Sequence, residues 1–378
     1  MPDLNFFALY FLEVVMGGAT HNAGSQRDIV VVGLTGIAWV LLVTALVIFA
    51  FNQWWGHDHF VHWVSYAFMC ATPFQIMQAV VWHNSIPTRL SGLSQPVKGL
   101  AIVGCFILAS IIVMPLLYFT VGQGALTPIL LHFVIQSVVV TLFVILALGC
   151  WPVSRFCRTP GICGLATLVF CYLLNLVIFC TFYDYAMFEG LPFYAHVFAP
   201  SGLFNGVTAL TFAVTCAAIL MLATMLDFWP MSKWVDNAKQ PLMGVVTILA
   251  ILAVALMVYG TFVHWLGMDP MAFMVKGPVC IIFGTFLVQN MMQFQLLASV
   301  PQPQKGLLKI LLCGLCAALM YQLYLWALPV MAGTALPAGP SAGYGQEIWI
   351  ASAMLGVTFP IINFVSGGFE FWPVKRNK

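Results

Sequence analysis

Ten runs of roughly twenty apolar residues, joined only by short connections, decide what this chain can become. A helix of about 20 residues rises about 30 Å, enough to cross the hydrocarbon layer of a bilayer. The runs lie at roughly 29–51, 60–82, 99–121, 127–149, 163–183, 203–226, 242–265, 274–298, 306–329 and 348–368. Composition agrees: 62% of the chain is hydrophobic and 6% is charged, against about a quarter charged in a soluble domain. The expected fold is an all-α polytopic membrane protein of about ten transmembrane helices, arranged as five hairpins, with no aqueous domain left over.

The net charge of +2 is too small to suggest a nucleic-acid partner. Residues 1–20 lack a basic n-region and carry Asp3 and Glu13, so they do not read as a secretory signal. Leu4–Met16 is apolar but too short to span, and 1–28 reads as an interfacial or re-entrant segment. Most of the eleven cysteines lie in apolar runs, where a cysteine acts as a small buried hydrophobe.

Orientation follows from the basic residues, which favour cytoplasmic connections. Arg89, Lys98, Arg155, Arg158, Lys233, Lys239 and Lys305 fall on the connections after even-numbered helices. Arg27 precedes the first helix, and Lys375, Arg376 and Lys378 follow the last. Lys276 is the exception on the other side. Both termini are expected in the cytoplasm, with the protein in the inner membrane of a bacterium. Trp54, Trp55, Trp63, Trp265 and the stretch YDYAMFEGLPFY are expected at the outer interface, and PAGPSAGYGQ before the last helix reads as a flexible outer loop.

The chain repeats itself. Phe-Val-His-Trp stands at 60–63 and again at 262–265, each followed by Ala-Phe-Met and, after three more residues, by Pro73 or Pro278. Gln95-Pro96-Val97-Lys98-Gly99-Leu100 is matched by Gln302-Pro303-Gln304-Lys305-Gly306-Leu307, and Trp151-Pro152-Val153 by Trp372-Pro373-Val374. Helices 1–4 and 7–10 therefore read as parallel internal repeats, because an offset of six helices preserves the direction of insertion. The units are 1–28, then a four-helix unit at 29–158, a central hairpin at 159–240 and a second four-helix unit at 241–378. His264 is expected near the repeat position of His62.

Two groups of residues are candidates for chemistry. His57, Asp58, His59 and His62 cluster at the outer end of helix 2, with His264 and His132 expected at the same level. Imidazoles and a carboxylate suit a transition metal; an interfacial belt is the plainer reading. Within the helices the amides stand out. Gln75 and Gln78 are three apart, Gln289 and Gln293 four apart, so each pair is expected to share a helix face. Gln136, Asn175, Gln322 and Asn363 are single polar points. Pro73 and Pro278 would either kink their helices or interrupt them and free backbone groups for a solute. Cys313 and Cys316 read as core packing.

These features favour a transporter or channel for a small polar solute, with its pathway between the two four-helix units and Gln75, Gln78, Gln289, Gln293, Pro73 and Pro278 as binding positions. No cofactor is needed for that reading, and enzymatic activity is not indicated. The alternative is a membrane subunit of a redox complex, holding haem, quinol or a transition metal through His62, His132 and His264. The expected partners are the lipid bilayer and a small polar solute; a homo-oligomer or a larger membrane complex stays open.

Overall fold

The computed structural model describes residues 26–56, 59–85, 90, 92–157, 159–194, 197–235 and 240–374. His57, Asp58 and the N-terminal segment up to residue 25 lie outside the described residues. Among the described residues ten helices are long and apolar enough to cross a membrane: α1 Asp28–Trp55, α2 Phe60–Val81, α3 Val97–Thr120, α4 Pro128–Ala147, α5 Pro160–Phe182, α6 Gly206–Met225, α7 Leu242–Trp265, α8 Pro270–Met291, α9 Gln304–Ala332 and α10 Gly345–Gly368. The protein is an all-α integral membrane protein. Among the described residues the strands are two short ones, Tyr183–Asp184 and Phe204–Asn205, paired in parallel between α5 and α6.

Helix starts follow local chemistry. Thr127 precedes Pro128 and accepts from the Leu130 N–H, Asp269 precedes Pro270 and accepts from Ala272, and Asn205 accepts from Val207 and Thr208. A short polar side chain satisfies an otherwise unpaired first-turn N–H, while proline at the first position has none to satisfy.

The helices sort into two layers. In the most apolar 18-residue window of each helix, 61% to 78% of the residues are buried in the even-numbered helices, against 22% to 33% in the odd-numbered ones. The even helices pack in the closed order α2–α4–α6–α8–α10–α2. Each odd helix lies outside this ring over one seam: α3 on α2 and α10, α5 on α4 and α2, α7 on α6 and α4, α9 on α8 and α6, α1 on α10 and α8. The odd helices therefore present apolar side chains outward, among them Leu34, Ile111, Val169, Leu249 and Leu311, as a surface facing lipid tails must.

The turns after the even helices share one geometry. Two successive residues adopt left-handed backbone angles: His83 and Asn84, Gly149 and Cys150, Asp227 and Phe228, Gln293 and Phe294, Glu370 and Phe371. The second N–H of each pair returns to a carbonyl in the last helical turn, as from Asn84 to Gln78 at 2.9 Å and from Phe371 to Val365 at 2.9 Å. This satisfies carbonyls that a helix end would leave open. The next odd helix to cross that end brings a glycine against it. A Cβ at Gly33, Gly99, Gly164, Gly244 or Gly306 would lie 2.2 to 2.7 Å from Met292, Phe369, Trp82, Leu148 or Leu226, in that order.

Several expectations are revised here. The two Phe-Val-His-Trp copies occupy different elements: the first opens α2 and the second closes α7. The cause is spacing, since three residues separate the first copy from Ala-Phe-Met and six separate the second. His62 and His264 are thus not repeat positions. The Ala-Phe-Met segments both lie in the first half of their helices, α2 and α8. Neither proline interrupts its helix, because α2 runs on through Pro73 and α8 absorbs Pro278 within a wider turn at Val275–Val279. The helix expected at 274–298 begins at Pro270 and ends at Met291. Tyr183 and Tyr185 are buried rather than interfacial. The loop before α10 is tied down: the Tyr344 hydroxyl donates to Asp269 at 2.8 Å, and the Gly339 N–H donates to Glu347. Burial, this bond and the Asp269 and Glu347 charges push the Tyr344 hydroxyl up to about 12.

Candidate functional site

A cavity of about 400 Å³ lies among the C-terminal ends of the even helices, on the side that carries Lys98, Arg155, Lys233 and Lys305. All five even helices line it. Helix α2 and its turn contribute Ile76, Val80 and Asn84; α4 contributes Leu142 and Leu146; α6 contributes Met221 and Thr224. Helix α8 supplies Phe286, Gln289 and Asn290, and its turn Gln293; α10 supplies Asn363 and Ser366, and its turn Glu370. The five helices end at one cavity, so they run parallel. Helix α6 belongs to the wall, which places the cavity inside a five-helix ring rather than between two four-helix units.

The polar groups form two chains. Gln75, buried in α2, donates its Nε2 to the Pro360 carbonyl of α10 at 3.0 Å, and its Oε1 accepts from Asn363 Nδ2 at 3.4 Å. Asn363 Oδ1 in turn accepts from Asn290 Nδ2 of α8 at 3.0 Å. The second chain crosses from α8 to α6: Gln289 Nε2 donates to Thr224 Oγ1 at 3.2 Å, and the Thr224 hydroxyl donates to the Met221 carbonyl at 2.6 Å. Together they fasten four of the five inner helices at one level. In an apolar surrounding such bonds fix side chains firmly, because an unpaired amide there costs about 1–3 kcal/mol.

The Gln-Pro segments clasp the ends of the even helices. Gln95 donates to the Gly368 carbonyl at the end of α10 at 2.9 Å and accepts from the Gly99 N–H at 3.3 Å. Gln302 does the same at the end of α6, donating to Met225 at 3.1 Å and accepting from Gly306 at 3.0 Å. Gln240 donates to Ala147 at the end of α4 at 3.3 Å. Lys98 pairs with Glu370, and Lys305 lies 3.6 Å from Asp227. The two Gln-Pro-x-Lys-Gly segments thus perform the same two tasks: the amide clasps a helix end, and the lysine meets the carboxylate of the following turn.

The amides singled out by spacing do not act as two matched faces. Gln289 and Gln293 line the cavity, but Gln293 sits beyond the end of α8, in the left-handed turn. Gln75 reaches the site through Asn363. Gln78 is buried, is not a lining residue, and neither of its amide atoms has a partner among the described residues. Pro73 and Pro278 are not lining residues. Asn290, Asn84, Thr224, Ser366 and Glu370 were not marked by the spacing argument. Asn84 and Glu370 lay beyond the assumed helix ends, and Thr224 and Ser366 are hydroxyls of a kind common in apolar helices.

The histidines fall elsewhere. His132 is buried near the start of α4, its Nδ1 3.0 Å from the Tyr185 hydroxyl. Beside it the Tyr183 hydroxyl donates to Gln136 at 2.8 Å. Burial raises both tyrosine hydroxyls far above their ordinary value. His62 and His59 are exposed at the start of α2. His264 is exposed at the end of α7, edge-on to Tyr259 at 5.6 Å. Among the described residues no three histidine, cysteine, aspartate or glutamate side chains stand close enough to hold a metal ion together. The Cys313 thiol packs 3.4 Å from Thr285 and from the Ile281 carbonyl, an apolar setting.

Comparison with family descriptions, with curated proteins and with solved structures finds no match to this chain.

Proposed function

We propose that this protein is a transporter or channel for a small polar solute, with its pathway along the axis of the five-helix ring. One observation carries the reading: a cavity walled by all five inner helices, apolar on the α4 side and rich in amides on the α8 and α10 sides. Such a wall can replace the water hydrogen bonds of a solute while the ring excludes lipid. The cavity lies toward the side holding the basic residues, which the positive-inside tendency assigns to the cytoplasm.

The same reading treats α1–α4 and α7–α10 as parallel repeats about an axis near the membrane normal. In its support, α2 and α8 both carry Ala-Phe-Met followed by proline, and Gln95 with Lys98 matches Gln302 with Lys305 in partner and geometry. The five similar turns extend the idea to all five hairpins.

The test is uptake of small neutral and charged solutes into proteoliposomes containing the purified chain, with a visible spectrum of the same preparation. Uptake above empty liposomes, weakened about tenfold by a Gln289→Leu change that removes a hydrogen-bonding amide, is the expected result. No uptake, together with a haem band that disappears in His132→Ala, would favour the redox reading instead.

A further inference from the structure

The direction of the two hydrogen-bond chains determines which atoms are left facing the cavity. A backbone carbonyl only accepts, so Gln75 must turn Nε2 toward Pro360 and Oε1 toward Asn363. Asn363 then donates through Nδ2 and accepts through Oδ1. Asn290 answers with Nδ2, and its Oδ1 remains over. In the second chain the Thr224 proton is committed to the Met221 carbonyl, so Thr224 accepts from Gln289 Nε2 and the Gln289 Oε1 remains over. Ser366 likewise gives its proton to the Ile362 carbonyl at 2.8 Å and keeps only lone pairs. Asn290 Oδ1, Gln289 Oε1 and the Ser366 hydroxyl oxygen therefore keep free acceptor lone pairs, and each of the two amide nitrogens keeps one further N–H.

Charge points the same way. Five parallel helices end here, and each C-terminus carries a partial negative charge of about half an electron. Gln95, Gln240 and Gln302 each cover one carbonyl at three of those ends. Glu370 lines the cavity, whereas its partner Lys98 belongs to the first turn of α3 and does not line it. Asn84 and Gln293 add amides of either polarity.

We propose that the cavity selects small monovalent cations, above all ammonium-type cations, over anions and neutral solutes. An N–H-bearing cation can donate to the oxygens of Asn290, Gln289 and Ser366, while an anion would find only the second N–H of the two amides and would face the Glu370 carboxylate and five helix C-termini. This selectivity rests on the cavity being part of a solute pathway.

The experiment uses the full chain in proteoliposomes and compares uptake of radiolabelled methylammonium, chloride and glycerol. Methylammonium is expected to exceed both others by roughly tenfold or more, and Asn290→Leu and Gln289→Leu are each expected to lower its uptake about tenfold, as for a lost hydrogen bond to a charged group. Gln75→Leu provides a second arm. Gln75 does not line the cavity, yet without it Asn363 and Asn290 are free to turn over, so the ratio of methylammonium to chloride should fall while uptake persists. Preferred uptake of chloride or glycerol would overturn the selectivity and leave the pathway standing. No uptake of any solute by a monodisperse, helical preparation would overturn both. Unchanged selectivity in all three variants would remove the oxygens from the argument.

Discussion

At the scale of single residues, burial alone does not tell which amide matters; partnership does. Asn363 is buried and bonded to both Gln75 and Asn290, so it ties α10 to α2 and α8. Asn363→Leu would leave both partners unsatisfied and is expected to lower stability by about 1–3 kcal/mol, read as a fall in the thermal midpoint in detergent. Gln78 is more deeply buried but has no partner among the described residues. Removing an unsatisfied buried amide relieves its desolvation cost, so Gln78→Leu should leave the midpoint unchanged or raise it. A loss as large as that of Asn363→Leu would show that Gln78 has a role not seen in its bonding. His83, in the turn after α2, is held below its usual value by burial. A depressed histidine favours the neutral form, so its stabilising contribution is complete above about pH 6.5 and fades as pH falls below it. Midpoints measured at pH 5.5 and 7.5 should therefore converge in His83→Gln relative to the parent.

At the scale of elements, contact between an odd helix and the end of an even one depends on a missing side chain. A Cβ at Gly164 would come within 2.2 Å of Trp82 Nε1, which donates to the Pro160 carbonyl at 3.0 Å. Gly164→Val is expected to push α5 away from the end of α2 and to cost about 1–3 kcal/mol, as overpacking does. The neighbouring Gly104 in α3 meets nothing within 4 Å, so Gly104→Ala should be neutral or slightly stabilising through helix propensity. Equal effects in a thermal unfolding comparison would show that the glycine contact does not set the position of α5.

At the scale of the whole molecule, the ring predicts how the chain lies in a membrane. A reporter fused after Lys378 is expected on the cytoplasmic face. A cysteine placed at Ala338, exposed in the loop before α10, is expected to react with an impermeant reagent from outside. Reaction at Ala338→Cys only after lysis would reverse the orientation and place the cavity on the outer face.

The ten helices and the recurring Trp-Pro and Gln-Pro turns were legible from residue type alone, because lipid acts on every residue in the same way and leaves its mark on local composition. The jobs of Gln95, Lys98, Gln302 and Lys305 were foreshadowed by their matching spacing. The ring could not be read. Odd and even helices are similarly apolar, since lipid and protein interior reward the same side chains, and their sorting into outer and inner layers is a matter of packing. The end of α8 was misplaced beyond Gln293 because the left-handed turn at Gln293 and Phe294 carries ordinary side chains instead of the glycine that would signal it. The direction of each amide likewise depends on a carbonyl contributed by another helix: Pro360 for Gln75, and Met221, through Thr224, for Gln289. Sequence supplied the hydrogen-bonding groups, and only the tertiary structure determined which of their atoms remain to meet a solute.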